Sequence, residues 1–268
     1  MNKLIAVAVI DSGIYPHIDF KNRIIAFKDY IARKRYPYDD CGHGTHVSGI
    51  IAGDGTASHG RIKGLCPQAN LVSIKVLDKY GNGRIENVID AAEWISKNKD
   101  IYNIKVVNIS FGATTFGERK DHKALEQAIE KLWDENISVV AAAGNDGPLK
   151  HSVAIPGTCR KIITVGSPDG KDFFSGRGPT NECIVKPELI VNGSYIYSCS
   201  NTGNSYSVKS GTSMSAPIVS GAIANVLSNK PLTPKEIKMR LKYCCTKKAL
   251  PDNLQGWGLL NIQQFINI

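Results

Sequence analysis

The sequence predicts an α/β protein, a three-layer, doubly wound, mostly parallel sheet with helices on both faces. Short apolar runs rich in β-branched residues recur at positions 4–10, 71–76, 105–110, 138–143 and 162–165. Runs of that kind suit strands covered on both faces. Between them the apolar period changes to that of a helix, as in Ile85, Val88, Ile89, Ala92 and Ile95, or Leu125, Ala128, Ile129 and Leu132. Segment 214–227, rich in Ala, Ser, Val and Ile with few charges, reads as a helix buried on most sides. Thr233-Pro234-Lys235-Glu236 supplies an N-cap, a first-turn proline and a capping-box glutamate. Alternation of strands and helices implies the doubly wound sheet.

Composition bounds what such a fold could be for. With 268 residues, 42% of them hydrophobic and 21% charged, the chain can bury one large core, and a single domain over 1–268 is expected. No stretch approaches the roughly 20 apolar residues that span a bilayer, so no membrane partner is expected. The net charge of +9 comes from scattered Lys and Arg with only short runs such as Arg33-Lys34-Arg35. That pattern describes a solvated basic surface with a mild preference for acidic substrates or partners, and no nucleic acid is expected. Seven cysteines is an odd number. Their contexts are mostly apolar or small (Leu65-Cys66-Pro67, Cys244-Cys245) and no CxxC occurs, which points to reduced thiols and a cytoplasmic location. The run at 4–10 resembles the apolar stretch of a signal peptide, but cutting after it would remove the strand leading to Asp11. It reads as a core strand.

In a doubly wound sheet, ligands bind beyond the carboxyl ends of the strands. Polar residues of distinct types collect there. Val9-Ile10-Asp11-Ser12-Gly13 places a carboxylate at the end of the first run. By itself such an Asp is most often a turn-former. Gly42-His43-Gly44-Thr45-His46-Val47-Ser48-Gly49 sets two histidines three apart at a helix start. A zinc site needs three or four ligands, no third candidate has convincing spacing, and His46 reads as structural. Ala141-Ala142-Ala143-Gly144-Asn145-Asp146-Gly147 leaves room for a ligand and presents an amide. Ser210-Gly211-Thr212-Ser213-Met214-Ser215-Ala216-Pro217 puts a serine where a buried helix begins, facing free N–H groups and the positive end of the dipole.

Together these motifs resemble the subtilisin-type serine proteases, with the chain order Asp, His, Ser that subtilisin has. The resemblance runs from about Leu4 to about Asn261. It includes Lys75-Val76-Leu77, Gly81-Asn82-Gly83, Val107-Asn108-Ile109-Ser110-Phe111-Gly112, Phe174-Ser175-Gly176-Arg177-Gly178-Pro179 and Gly256-Trp257-Gly258. It implies a subtilisin-like fold and a serine endopeptidase with Asp11, His43 and Ser213 as its triad. Ser213 would attack the scissile carbonyl, His43 would take its proton, and Asp11 would fix the tautomer of His43. The oxyanion would be met by the Asn145 side-chain amide and the Ser213 backbone N–H. In subtilisin itself, losing one such donor costs about 10²–10³ in turnover. Asn145 and His43 set the chain apart from the acid-active sedolisin relatives, so neutral-to-alkaline activity is expected.

The same resemblance assigns the substrate. Gly81, Asn82 and Gly83, with Ser110, Phe111 and Gly112, would flank an extended peptide. Ala142, Ala143, Gly144 and Ala154 would wall an apolar pocket, with Asp146 at its rim tolerating Lys or Arg. No cofactor is expected to be required. The family's calcium loop corresponds here to residues 53–60, which offer one carboxylate, Asp54, where calcium wants six to eight oxygens. Calcium is therefore not expected, and no metal ligand is assigned. Lys186-Pro187-Glu188-Leu189 and Val191-Asn192-Gly193 depart from the family at a turn away from the triad. Cys41, two residues before His43, reads as a packing thiol, with a redox switch as the sharper alternative.

Ten residues precede Asp11, against the longer N-terminal segments and inhibitory prodomain of secreted relatives. That leaves a prodomain absent, separately encoded or removed, and admits a separately encoded inhibitor or propeptide as a partner beside the peptide or protein substrate. Two rivals share these residues: a maturation protease dedicated to one precursor or leader peptide, and a non-enzymatic pseudoprotease scaffold, which the intact triad disfavours.

Overall fold

The computed structural model describes residues 4–112, 119–168 and 174–268. The chain runs β1 (Ala6–Asp11), β2 (Ile24–Asp29), α1 (His43–Ala52), β3 (Asn70–Lys75), α2 (Ile85–Tyr102), β4 (Ile104–Ile109), α3 (Arg119–Asp134), β5 (Ser138–Ala142) and β6 (Ile163–Gly166). Then follow β7 (Leu189–Ile190), β8 (Ile196–Cys199), β9 (Tyr206–Lys209), α4 (Thr212–Asn229), α5 (Pro234–Tyr243), β10 (Cys245–Thr246), α6 (Asp252–Gln255), β11 (Leu259–Leu260) and α7 (Ile262–Asn267).

The main sheet has the order β10-β11-β7-β6-β5-β4-β1-β3-β2, and β8 with β9 forms a separate antiparallel hairpin. Within the main sheet β10 and β11 pair antiparallel, and the other pairings are parallel. β1 stands between β3 and β4, so the chain builds outward from it in one direction and then in the other. Such a reversal opens a crevice at the carboxyl ends of the neighbouring strands.

Burial explains the predicted strands. All six residues of β1 and all five of β5 are buried, a pattern open only to strands covered on both faces. The cover comes from α1 packed with α4, and α2 packed with α3. The edge strand β2 is half-buried along most of its length and carries Lys28 and Asp29, so its sequence gives no continuous apolar run.

Helix α4 begins at Thr212, two residues before the predicted start, and is buried continuously from Met214 to Ala224. It is pinned to the sheet by a polar contact inside the core: the Ser220 hydroxyl donates to Asn108 Oδ1 at 2.8 Å, and Asn108 Nδ2 donates to Ser110 Oγ at 2.8 Å. Helix α5 has the predicted capping box, with Thr233 N–H donating to Glu236 Oε2 at 2.7 Å and Glu236 N–H to Thr233 Oγ1 at 3.3 Å.

Two buried polar groups hold the fold from inside. The first is Lys186, wholly buried, whose Nζ reaches Glu188 at 2.8 Å, the Ile162 carbonyl at 3.1 Å and Thr164 Oγ1 at 3.1 Å. Burial draws its pKa down, against the charge of Glu188. The second is His46, as the sequence predicts a structural residue. Its Nε2–H is shared between the carbonyls of Ile196 and Ser207, each at 3.1 Å, and so fastens the β8–β9 hairpin to α1. Its Nδ1 is buried with no partner among the described residues.

Lys186→Met removes a cation but leaves its carboxylate and carbonyl partners buried, and should cost about 3 kcal/mol in a urea melt. Burial lowers the His46 pKa to about 4 from 6.5. Between those values the unfolded chain binds the proton more readily than the folded one. Stability present above pH 6.5 should thus be lost as pH falls towards 4, by up to about 3 kcal/mol. Urea midpoints measured against pH should show this slope, and His46→Gln should flatten it.

Candidate active site

Asp11 is the last residue of β1 and its side chain is 1% exposed. Its Oδ1 accepts from the Ser12 N–H at 2.7 Å and from His43 Nδ1 at 2.8 Å. A carboxylate on Nδ1 fixes the tautomer with the proton there, leaving a lone pair on Nε2. Burial of the imidazole pulls its pKa down, and the charge and hydrogen bond of Asp11 more than reverse this, so His43 sits above the ordinary value of 6.5.

The approach of α1 to β1 makes that contact. His43 is the first residue of α1, capped by Gly42 in the left-handed region at φ 84°. One residue on, a Cβ on Gly44 would come within 2.2 Å of the Gly13 carbonyl and 3.2 Å of Asp11 Cβ. Only a glycine lets the helix lie directly on the strand end.

Around this contact stands a hub that the sequence motifs did not reveal. Asp39 accepts from Ser12 Oγ at 2.9 Å, Gly42 N–H at 2.8 Å, and the N–H and hydroxyl of Thr45 at 2.9 and 2.6 Å. Ser12 Oγ in turn accepts from the Gly44 N–H at 2.9 Å. Lys75, buried at the end of β3, donates to the carbonyls of Ser12 at 2.6 Å and Leu77 at 2.8 Å, and to Asp40 at 2.7 Å. Both ends of the Asp11–His43 contact are thereby fastened to their neighbours.

Ser213 is the second residue of α4, where a backbone N–H has no intrahelical acceptor. Thr212 before it connects three segments. Its N–H and its hydroxyl each lie 3.0 Å from Asn145 Oδ1, and its Oγ1 accepts from the Gly144 N–H at 3.2 Å. With Oδ1 of Asn145 occupied as acceptor, the amide Nδ2 is a donor with no acceptor among the described residues.

These groups open on one cleft of about 420 Å³. His43, Ser213, Asn145, Gly81, Ser110, Phe111, Gly112, Ala142, Gly144 and Ala154 line it, as do Asp146, Cys41, Leu77 and the unpredicted Tyr80. Among the described residues no hydrogen bond joins Ser213 Oγ to His43, and catalytic hydrogen bonds commonly tighten only once substrate is bound.

Three predicted substrate residues stand apart from this lining. Asn82 gives its carbonyl to the Asp78 N–H at 2.8 Å, and Gly83 bridges to Leu77, so of the predicted residues in this loop Gly81 alone lines the cleft, beside Tyr80. Ala143 is fully buried, donating to Val165 and accepting from Ala154, each at 2.9 Å, in continuation of the sheet. A second concavity of about 460 Å³ lies near the amino ends of the strands, around Ile5, Asn103 and Pro231.

Two places bear on metals. Asp54, in the 53–60 loop, is paired with Lys21 at 2.6 Å and accepts from the N–H and hydroxyl of Thr56, which together overcome burial and hold its carboxyl down at about 2. His17, Asp19 and Cys199 instead gather in a buried cluster that the sequence reading missed. All seven cysteines are free thiols. No helix of the described residues is long and apolar enough to cross a membrane.

Known proteins resemble the chain in sequence and fold. The Subtilase family matches residues 2–258. Serine protease AprX of Bacillus subtilis (strain 168) is 38% identical over 98% of the chain, which spans 66% of that protein's length. Subtilisin DY of Bacillus licheniformis is 32% identical over 97% of the chain and 89% of its own length. The solved structure of the prenylagaramide maturation protease PagA superposes with a TM-score of 0.79 and 26% identity, over 99% of this chain and 93% of that one. With a family match across nearly its whole length and a doubly wound sheet of the same kind, the chain belongs to the subtilase family.

Proposed function

We propose that the chain is a serine endopeptidase that hydrolyses peptide bonds through an acyl-enzyme on Ser213. The observation that carries this reading is the 2.8 Å contact of His43 Nδ1 with buried Asp11, whose imidazole opens on the cleft that Ser213 and Asn145 also line.

Ser213 Oγ attacks the scissile carbonyl carbon while its proton passes to His43 Nε2. Asp11 stabilises the resulting imidazolium and keeps the ring oriented. The oxyanion receives hydrogen bonds from Asn145 Nδ2 and the Ser213 N–H, donors already in place before charge develops. The amine departs with the proton from His43, and water, deprotonated by the same nitrogen, releases the acyl group. Side chains and backbone amides suffice for each step, so no cofactor enters the reaction. Neutral-to-alkaline working conditions follow, because the base must be neutral to act.

An extended substrate would lie between Gly81 and the segment Ser110, Phe111 and Gly112. Leu77, Tyr80, Phe111, Ala142 and Ala154 support a broad, mainly apolar preference before the scissile bond, and Asp146 would extend tolerance to Lys or Arg. The unpaired thiols support a reducing, cytoplasmic setting. The likeness to a maturation protease supports a second reading, a peptidase dedicated to one precursor or leader peptide. Its catalytic steps are identical, and an unbiased cleavage profile separates the two by showing one sequence or many.

A fluorophosphonate should label the protein at Ser213 and leave Ser213→Ala unlabelled, while kcat in that variant drops on the order of 10⁶, the loss known for the nucleophile of subtilisin. An unlabelled parent chain would leave a pseudoprotease scaffold. Since Asp11 raises the His43 pKa, kcat/KM should fall on acidification with a midpoint above 6.5. A pH–rate profile with its acid limb below 6 would contradict the assigned pairing.

A further inference from the structure

His17, Asp19 and Cys199 meet although Cys199 lies 180 residues from Asp19. His17 precedes the short turn Ile18–Arg23 that follows β1, and Cys199 ends β8. All three are buried: 1%, 0% and 1% exposed. Their potential ligand atoms lie within 4.8 Å of one another.

The local hydrogen bonds prepare them as ligands. His17 Nε2–H donates to the Ser205 carbonyl at 3.1 Å, and the Asp19 N–H points at Nδ1 from 3.2 Å. With the proton on Nε2 the lone pair lies on Nδ1, where it accepts the Asp19 N–H and would exchange that bond for a metal, while the Nε2–H makes the contact to a carbonyl that metal-bound histidines usually make. His17 Nδ1 is 3.7 Å from Asp19 Oδ1, and Cys199 Sγ is 3.6 Å from Asp19 Oδ2. In a tetrahedral zinc site, metal–ligand lengths of about 2.0–2.3 Å give edges of roughly 3.4 Å for N to O and 3.6 Å for S to O. The two observed spacings, one to each oxygen of Asp19, are close to these edges, and the remaining pair of ligand atoms lies within 4.8 Å.

We propose that His17 Nδ1, the Asp19 carboxylate and Cys199 Sγ form a buried site for a thiophilic divalent cation of the zinc and cadmium class. The donor set decides the class: nitrogen and sulfur with one carboxylate suit these ions, whereas calcium wants six to eight oxygens. Tyr206, whose hydroxyl is 2.7 Å from Asp19 Oδ2, is a further oxygen donor at the site. Charge also favours the ion. Without an ion the cluster holds one carboxylate and a thiol. A divalent cation sends the thiol proton to solvent and leaves a neutral set in place of a buried negative charge. The Ala57 N–H, 2.8 Å from Asp19 Oδ1, keeps the carboxylate in position. Such an ion would clip the segment that follows Asp11 to the hairpin that precedes Ser213. The site stands whether or not the chain is a peptidase.

The experiment titrates cadmium into the chelator-treated full chain carrying Ser213→Ala, which prevents self-cleavage. One equivalent should bind, with an ultraviolet cadmium–thiolate band and a rise in Tm. Cys199→Ser should abolish the band, Cys41→Ser should retain it, and His17→Gln, which keeps the thiol, should weaken cadmium binding at least about tenfold. Absence of the band overturns the proposal, as does its loss with Cys41→Ser and persistence with Cys199→Ser. Where Cys199→Ser fails to fold, unchanged cadmium affinity in His17→Gln overturns it equally.

Discussion

The hydrogen bond between Asp11 and His43 is the constraint around which the rest is arranged. It joins the end of the central strand to the first residue of a helix, and both must arrive with almost no space between them. A longer side chain at Gly44 would lift α1 off β1 and break the contact. The buried carboxylate is met on Oδ1 by the Ser12 N–H and His43 Nδ1, and around it Ser12, Asp39 and Lys75 link strand, loop and helix into one polar frame. The imidazole gains basicity from the arrangement, because the anion beside it outweighs the burial that opposes its protonation.

Legibility in the sequence followed the range of the interactions. β1, β3, β4, β5 and β6 showed as apolar runs because sheet and helices cover both their faces. β2, with water on its edge, and β7, β10 and β11, two residues each, left no such trace. The helical periods and the capping box at Thr233 were equally plain, since each is written within a few neighbouring positions. Asp11, His43, Asn145 and Ser213 were visible for the same reason, each lying in its own local motif.

What escaped notice depends on partners far apart in the chain. Asp39 and Ser12 are 27 positions apart, Lys75 and Ser12 are 63, and Thr212 and Asn145 are 67. His17, Asp19 and Cys199 belong to the same class, brought together by the hairpin that His46 fastens to α1. The loop at Asn82 and Gly83 illustrates the converse. The resemblance made it a substrate-flanking segment, but Asp78 gathers the loop's own N–H groups, taking Tyr80 and Asn82 at 2.8 and 2.9 Å, and of the three glycine and asparagine positions only Gly81 reaches the cleft.

Thr212 has a mechanical meaning beyond orientation. It is covalently next to Ser213 and grips Asn145 twice, so these two residues of the cleft ride on one coupling. A displacement of α4 against the sheet would carry both in the same direction. Their spacing is then set by Thr212 and not by the position of the helix on the sheet.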